Sequence, residues 1–195
     1  MLRHTLACAA HPLRGKGDAR RMIWAQRTAR AAFVFAATSL SAPVTNAEEG
    51  TFPAPAGEVV LTITGNISQT NRDHMAVFDE EMLRALPWTT LETTTVVTDG
   101  VKRFDGFLMR DLLDYVGAEG TGVTAVALND YVIEIPMEDF SRFDVLIAAS
   151  MDGKRLLPSD KGPFWIVYPR DDHEELQDIR YDYRWVWQLI ELEVH

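Results

Sequence analysis

Apolar and polar positions alternate in short runs through most of the chain beyond residue 57, and helical spacing appears in only a few places. Residues 58–67 (EVVLTITGNI) alternate and are rich in β-branched side chains, which predicts a strand. Residues 78–87 (FDEEMLRALP) predict a short helix, with Asp79 as N-cap, two acids in the first turn and Pro87 as the stop. Residues 91–98 (LETTTVVT) read as a strand by β-branching, followed by an Asp99-Gly100 turn. The strongest helix is predicted over 108–116 (LMRDLLDYV), with Leu108, Leu112, Leu113, Tyr115 and Val116 on one face and Gly117 as its C-terminal stop. Just before it, Gly106 is expected to hold a sharp turn.

Strands follow at 123–128 and 131–135 around an Asn129-Asp130 turn, and Pro136 opens a short helical turn over 136–140. Residues 145–150, 164–168 and 185–194 complete the strands, with Asp152-Gly153 as a hairpin turn. On the last strand, strict alternation places Val186, Ile190, Leu192 and Val194 on one face, and Trp185, Trp187 and Leu189 on the other. Both faces are apolar near Trp187, which predicts burial on both sides there. The sum is an α+β fold: a mixed, mostly antiparallel, β-rich domain with short helices.

The first 47 residues break this pattern. Arg3, Arg14, Lys16, Arg20, Arg21, Arg27 and Arg30 stand against one acid, Asp18, and residues 31–40 (AAFVFAATSL) form a short apolar stretch. Thr45-Asn46-Ala47 offers small residues for cleavage after Ala47. The segment predicts a cleaved export signal, with Met22 as an alternative start, and a periplasmic location. Arg20-Arg21 loosely fits a twin-arginine signal, so the Sec and twin-arginine routes both stay open. Residues 48–57 (EEGTFPAPAG) read as a flexible lead-in, and 58–195 as a single domain. No apolar run is long enough to span a bilayer, so no membrane anchor is expected.

Removing the leader changes the charge and the chemistry. It leaves 12 basic against 28 acidic residues, a formal charge of −16, which repels nucleic acid. The sole cysteine, Cys8, leaves with it. The remaining chain then has no thiol for a disulfide, a nucleophile or a soft metal. Phosphate-loop, dinucleotide-binding, nucleophile-elbow and zinc-protease motifs are absent from the sequence. The acidic run Asp171-Asp172-His173-Glu174-Glu175 lacks the spacing of a calcium loop and reads as a solvated loop. Asn129-Asp130-Tyr131 reads as a turn or as the polar rim of a pocket, and Lys161 before Gly162-Pro163 as a loop lysine or an anion-binding point. Asp130 or Asp160 as general acid or base is the least supported reading.

One ordered set of motifs carries more. Residues 104–113 (FDGFLMRDLL) resemble the F-x-G-x-x-L-x-D-L-L stretch of sulfite-oxidase-type molybdopterin-binding domains, with Met109 in place of the first leucine. Ala127-Leu128-Asn129-Asp130-Tyr131 with Ile135-Pro136, then residues 147–154 (IAASMDGK), Lys161-Gly162-Pro163, Val167-Tyr168-Pro169 and Trp185-Val186-Trp187-Gln188 follow at similar spacing. The resemblance implies a β-rich α+β fold and a pterin-bound molybdenum with one cysteine ligand. That cysteine would fall near 94–98, where this chain has Thr94-Thr95-Val96-Val97-Thr98. A threonine hydroxyl is a poor substitute for a soft thiolate.

The chain thus resembles a small, exported, cysteine-less branch of the family. No cofactor is expected, and molybdopterin enters by resemblance alone. The resemblance also puts Asn129, Asp130, Tyr131, Lys161 and Gly162 in segments near the cofactor position, as candidate ligand-binding residues with no metal ligand and no catalytic residue. The expected function is a non-catalytic binding or sensory module that takes a small anionic ligand and meets a membrane receptor or signalling protein in the periplasm. The alternative is a periplasmic molybdopterin-dependent oxidoreductase with altered metal ligation.

Overall fold

Alternation builds the first strand as expected: in β1 (Leu61–Gly65), Leu61 and Ile63 are fully buried while Thr62 and Thr64 keep partial exposure. The structure, a computed structural model, describes residues 51–195. The expected export signal over 1–47, the alternative start at Met22 and the first residues of the lead-in lie outside the described residues. After β1 come β2 (Ala76–Phe78), α1 (Glu80–Arg84), β3 (Trp88–Thr93), β4 (Lys102–Leu108) and α2 (Met109–Tyr115). Then follow β5 (Gly122–Ala127), β6 (Val132–Pro136), α3 (Met137–Arg142), β7 (Leu146–Met151) and β8 (Lys154–Arg155). The series ends with β9 (Phe164–Val167), a 3-10 turn (Glu174–Gln177), α4 (Ile179–Asp182) and β10 (Trp187–Val194). The fold is α+β and strand-rich, with four short helices among the described residues.

The strands form one mixed sheet in the order β2-β1-β10-β9-β7-β4-β3, with β5 and β6 branching from β10 and β8 from β7. All the named pairs are antiparallel except β1 with β10. Strand β10 is shared by β1, β5 and β9. The core lies where β4, β7, β9 and β10 meet: Phe104 packs edge-on against Trp165 at 5.4 Å, and Phe107 against Phe164 at 6.0 Å. Phe104, Phe107, Ile147, Trp165 and Leu189 are all fully buried. Each such side chain contributes roughly 1.5–3 kcal/mol by leaving water.

Helix α1 forms for the reasons its sequence gives. The Asp79 carboxylate accepts from Met82 N at 2.9 Å and from Gly57 N at 2.8 Å. These backbone bonds, that from Met82 first, hold its carboxyl below the usual range.

Three expectations fail. The strand expected over 91–98 ends at Thr93, because side chains capture the backbone beyond it. Asp171 accepts from Thr94 N at 2.7 Å and from Thr94 Oγ1 at 2.5 Å, while Thr95 Oγ1 accepts from Val97 N at 3.1 Å. Gly106 is not a turn but the middle of β4, between β3 and β7. The register to β7 shifts between Asp105 and Gly106, and a Cβ at Gly106 would lie 2.0 Å from the Ile147 carbonyl oxygen. Strict alternation also fails in β10, where Leu189 and Leu192 are both buried. The register shifts between Trp187 and Leu189 against β9, and between Leu189 and Glu191 against β5. Gln188, at φ 57°, sits in the first of these irregularities.

Candidate functional site

The first irregularity of β10 gathers the segments that the sequence singles out. Gln188 donates its backbone N–H to the Lys161 carbonyl at 2.9 Å, and its own carbonyl accepts from Leu128 N at 2.8 Å. The loop carrying Lys161 and the β5–β6 turn are thus tied to one residue. Beside them lies a cavity of about 240 Å³. One side is the β5–β6 turn, with Asn129 and Tyr131; the other is the end of α4 and the start of β10, with Asp182, Tyr183, Trp185 and Trp187. Val96 and Val97, from the loop after β3, complete the rim, 47% and 45% exposed.

The turn is self-supporting. Asn129 Oδ1 accepts from Tyr131 N at 3.1 Å, and Asp130 adopts φ 64° at the apex. The two sides are joined by Tyr131, whose hydroxyl donates to the Tyr183 carbonyl at 2.8 Å. Partial burial, and then the neighbouring Tyr183, push the Tyr131 phenol up from its ordinary value.

A buried polar cluster anchors the second side. Asp139 of α3 is 3% exposed and Tyr168 fully buried. Asp139 Oδ2 accepts from the Tyr168 hydroxyl at 2.8 Å and from Arg184 Nη1. The Arg184 guanidinium also lies 4.7 Å over the Tyr181 ring. Because Arg184 stands between Tyr183 and Trp185, this ion pair fixes the stretch that lines the cavity. Burial, then the Asp139 charge, push the Tyr168 phenol well above its ordinary value.

Of the five candidate ligand residues, Asn129 and Tyr131 line the cavity. Asp130 is exposed at the turn apex. Lys161 is not a lining residue: its Nζ sits 5.8 Å over Trp165 and 5.9 Å over Trp187, and 3.0 Å from Asp160. Gly162 is buried against the chain, where a Cβ would lie 2.3 Å from the Leu156 carbonyl oxygen. Asp130 and Asp160 are both exposed and form no acid pair. Sequence reasoning named Val96 and Val97 only within the stretch where the family's cysteine would fall, and did not single out Asp182 or Tyr183 as site residues. The last two were signalled only by one acid flanked by aromatics in residues 181–187 (YDYRWVW). The acidic run is more than a solvated loop: Asp171 holds Thr94, and Glu175 pairs with Arg142 at 2.6 Å.

These parts make an α+β fold with an aromatic cavity at the root of its shared strand. The chain belongs to the oxidoreductase molybdopterin-binding domain family, whose sequence profile matches residues 61–170, more than half its length. No curated protein matches the chain.

The donor set at the expected ligand position does not fit a molybdenum held through protein sulfur. Cys8 lies outside the matched segment, and residues 94–98 hold only threonine and valine. Their hydroxyls are engaged: Thr94 Oγ1 with Asp171, and Thr95 Oγ1 with Thr98 Oγ1 at 2.8 Å. Among the described residues no group of three His, Cys, Asp or Glu side chains is arranged to hold a metal ion. Among the described residues, Asp182 is the one acidic or basic residue lining the cavity.

Proposed function

We propose that this protein is an exported, non-catalytic binding module of the molybdopterin-binding oxidoreductase family. It holds a small ligand in the aromatic cavity and presents the bound state to a receptor or signalling protein in the periplasm. One observation carries the reading. Where the family resemblance implies a thiolate, this chain has threonines whose hydroxyls hold the loop in place, while a ligand-sized cavity persists beside that loop. Fold alone does not carry the family's redox activity, and the cavity is the feature that supports binding here.

The geometry also offers a route outward. Val96, Val97, Tyr131 and Tyr183 line the cavity and are exposed at its rim, so a ligand that moves them alters the surface a partner meets. The basic leader and the small residues before Glu48 support export.

The test is metal analysis and redox assay of the native protein, purified from a host that makes the molybdenum cofactor. Absence of stoichiometric molybdenum, together with no oxidase or reductase turnover, is the expected result. Stoichiometric molybdenum with turnover would overturn the reading and favour an oxidoreductase with altered metal ligation.

A further inference from the structure

We infer that the cavity takes a small organic cation of the methylated-ammonium class, with Asp182 as counter-charge. The inference rests on the binding-module reading of the same cavity. Four lining residues, Tyr131, Tyr183, Trp185 and Trp187, bring aromatic rings, whose faces attract cations. The neighbourhood already uses that attraction, in Lys161 over Trp187 and Arg184 over Tyr181.

Charge points the same way. Among the described residues Asp182 is the only acidic or basic side chain lining the cavity, and its Oδ1 is buried without a hydrogen-bond partner. An unpaired, shielded carboxylate oxygen is costly, and a cation beside it offsets that cost. Lys161 does not cancel the negative sign, because Asp160 pairs with it 3.0 Å away. The formal charge of −16 beyond the leader raises the local concentration of cations further.

Size and hydrogen bonding narrow the class. At about 240 Å³ the cavity exceeds a single-water void. It falls below the roughly 300–1,000 Å³ of sites for drug-sized ligands. A primary ammonium wants three acceptors. Here the Tyr183 carbonyl already accepts from Tyr131, and Asn129 Oδ1 from Tyr131 N. A methylated ammonium needs none of these bonds and gains from the aromatic faces instead. Residues 182–187 lie outside the segment matched by the family's sequence profile. The anion expected at Lys161 gives way to a cation at Asp182.

Choline, tetramethylammonium, ethanolamine and acetate would be titrated separately into the purified exported protein, followed by calorimetry and tryptophan fluorescence. Choline and tetramethylammonium should saturate the site, with ethanolamine weaker by about tenfold and acetate silent. Asp182→Asn, close in shape, should weaken choline by about tenfold or more with the melting temperature unchanged. Tyr183→Ala, at an exposed ring, should weaken it as well, and Lys161→Ala should not. Saturable acetate binding, no saturable binding of either methylated cation, or choline binding indifferent to both Asp182→Asn and Tyr183→Ala would overturn the inference. Failure of choline in molybdenum-free protein sinks the cation and leaves the binding-module reading standing. Stoichiometric molybdenum with turnover sinks that reading whatever choline does.

Discussion

Replacing Asp139 with alanine tests whether the buried cluster under the cavity holds the domain together. The substitution strips the acceptor from two groups at once. The Tyr168 hydroxyl is fully buried and would be left unpaired, which costs about 1–3 kcal/mol. Arg184 would lose its counter-ion, and breaking a fully buried pair costs about 3–5 kcal/mol. The Arg184 side chain is 22% exposed, so water recovers part of that. A net loss of about 3 kcal/mol is the expected value. For a domain of this size it lowers the melting temperature by roughly 6–12 °C. Circular dichroism melts and urea titration of the purified protein measure it. The double variant Asp139→Ala/Tyr168→Phe should recover about 1 kcal/mol, since it removes the orphaned hydroxyl. A melting temperature within about 2 °C of the parent, or no recovery in the double variant, would refute the reasoning.

The same cluster predicts a pH dependence. The folded Tyr168 phenol titrates above its unfolded value, so the folded state keeps a proton that the unfolded chain gives up. That contribution is complete below about pH 10 and fades as pH rises from there through the folded value. Tyr168→Phe should flatten the alkaline limb of a stability-versus-pH curve, and an unchanged limb would count against the assignment. Gly106→Ala should destabilise by more than about 2 kcal/mol in urea titration, because a Cβ would meet the Ile147 carbonyl at 2.0 Å in a central strand; unaltered stability would contradict the close approach. Tyr131→Phe removes the bond to the Tyr183 carbonyl and should cost about 1 kcal/mol while loosening the two sides of the cavity. Faster amide hydrogen exchange at residues 129–131 and 183–185 would report that loosening.

What was legible in the sequence was what local chemistry decides. Asp79 and Pro87 bracket α1 through a cap and a stop, and Asp152-Gly153 turns with both residues at positive φ. What was hidden depended on partners far along the chain. The β-branched run at 94–98 has strand propensity, yet Asp171, 77 residues away, takes the Thr94 N–H. Asp105-Gly106 reads like a turn, but Gly106 is needed so that β4 can approach β7. The alternation of β10 fails at Gln188 because that residue serves the Lys161 loop and the β5–β6 turn together. The site follows the same division. Asn129 and Tyr131, which line the cavity, were singled out through the turn they build and the family pattern they match. Asp182 and Tyr183 were missed because their place is set by Arg184 reaching Asp139, 45 residues earlier.

Among the described residues strand β10 follows the other nine strands, yet β1, β5 and β9 all pair with it. During synthesis three open edges therefore await a strand made after them. Contacts such as Ile63 with Leu192 span most of the domain, a topology that folds slowly. A nascent chain that stops short of Trp187 would expose those edges to other chains. The strand that walls the cavity thus also times when there is a folded domain to have one.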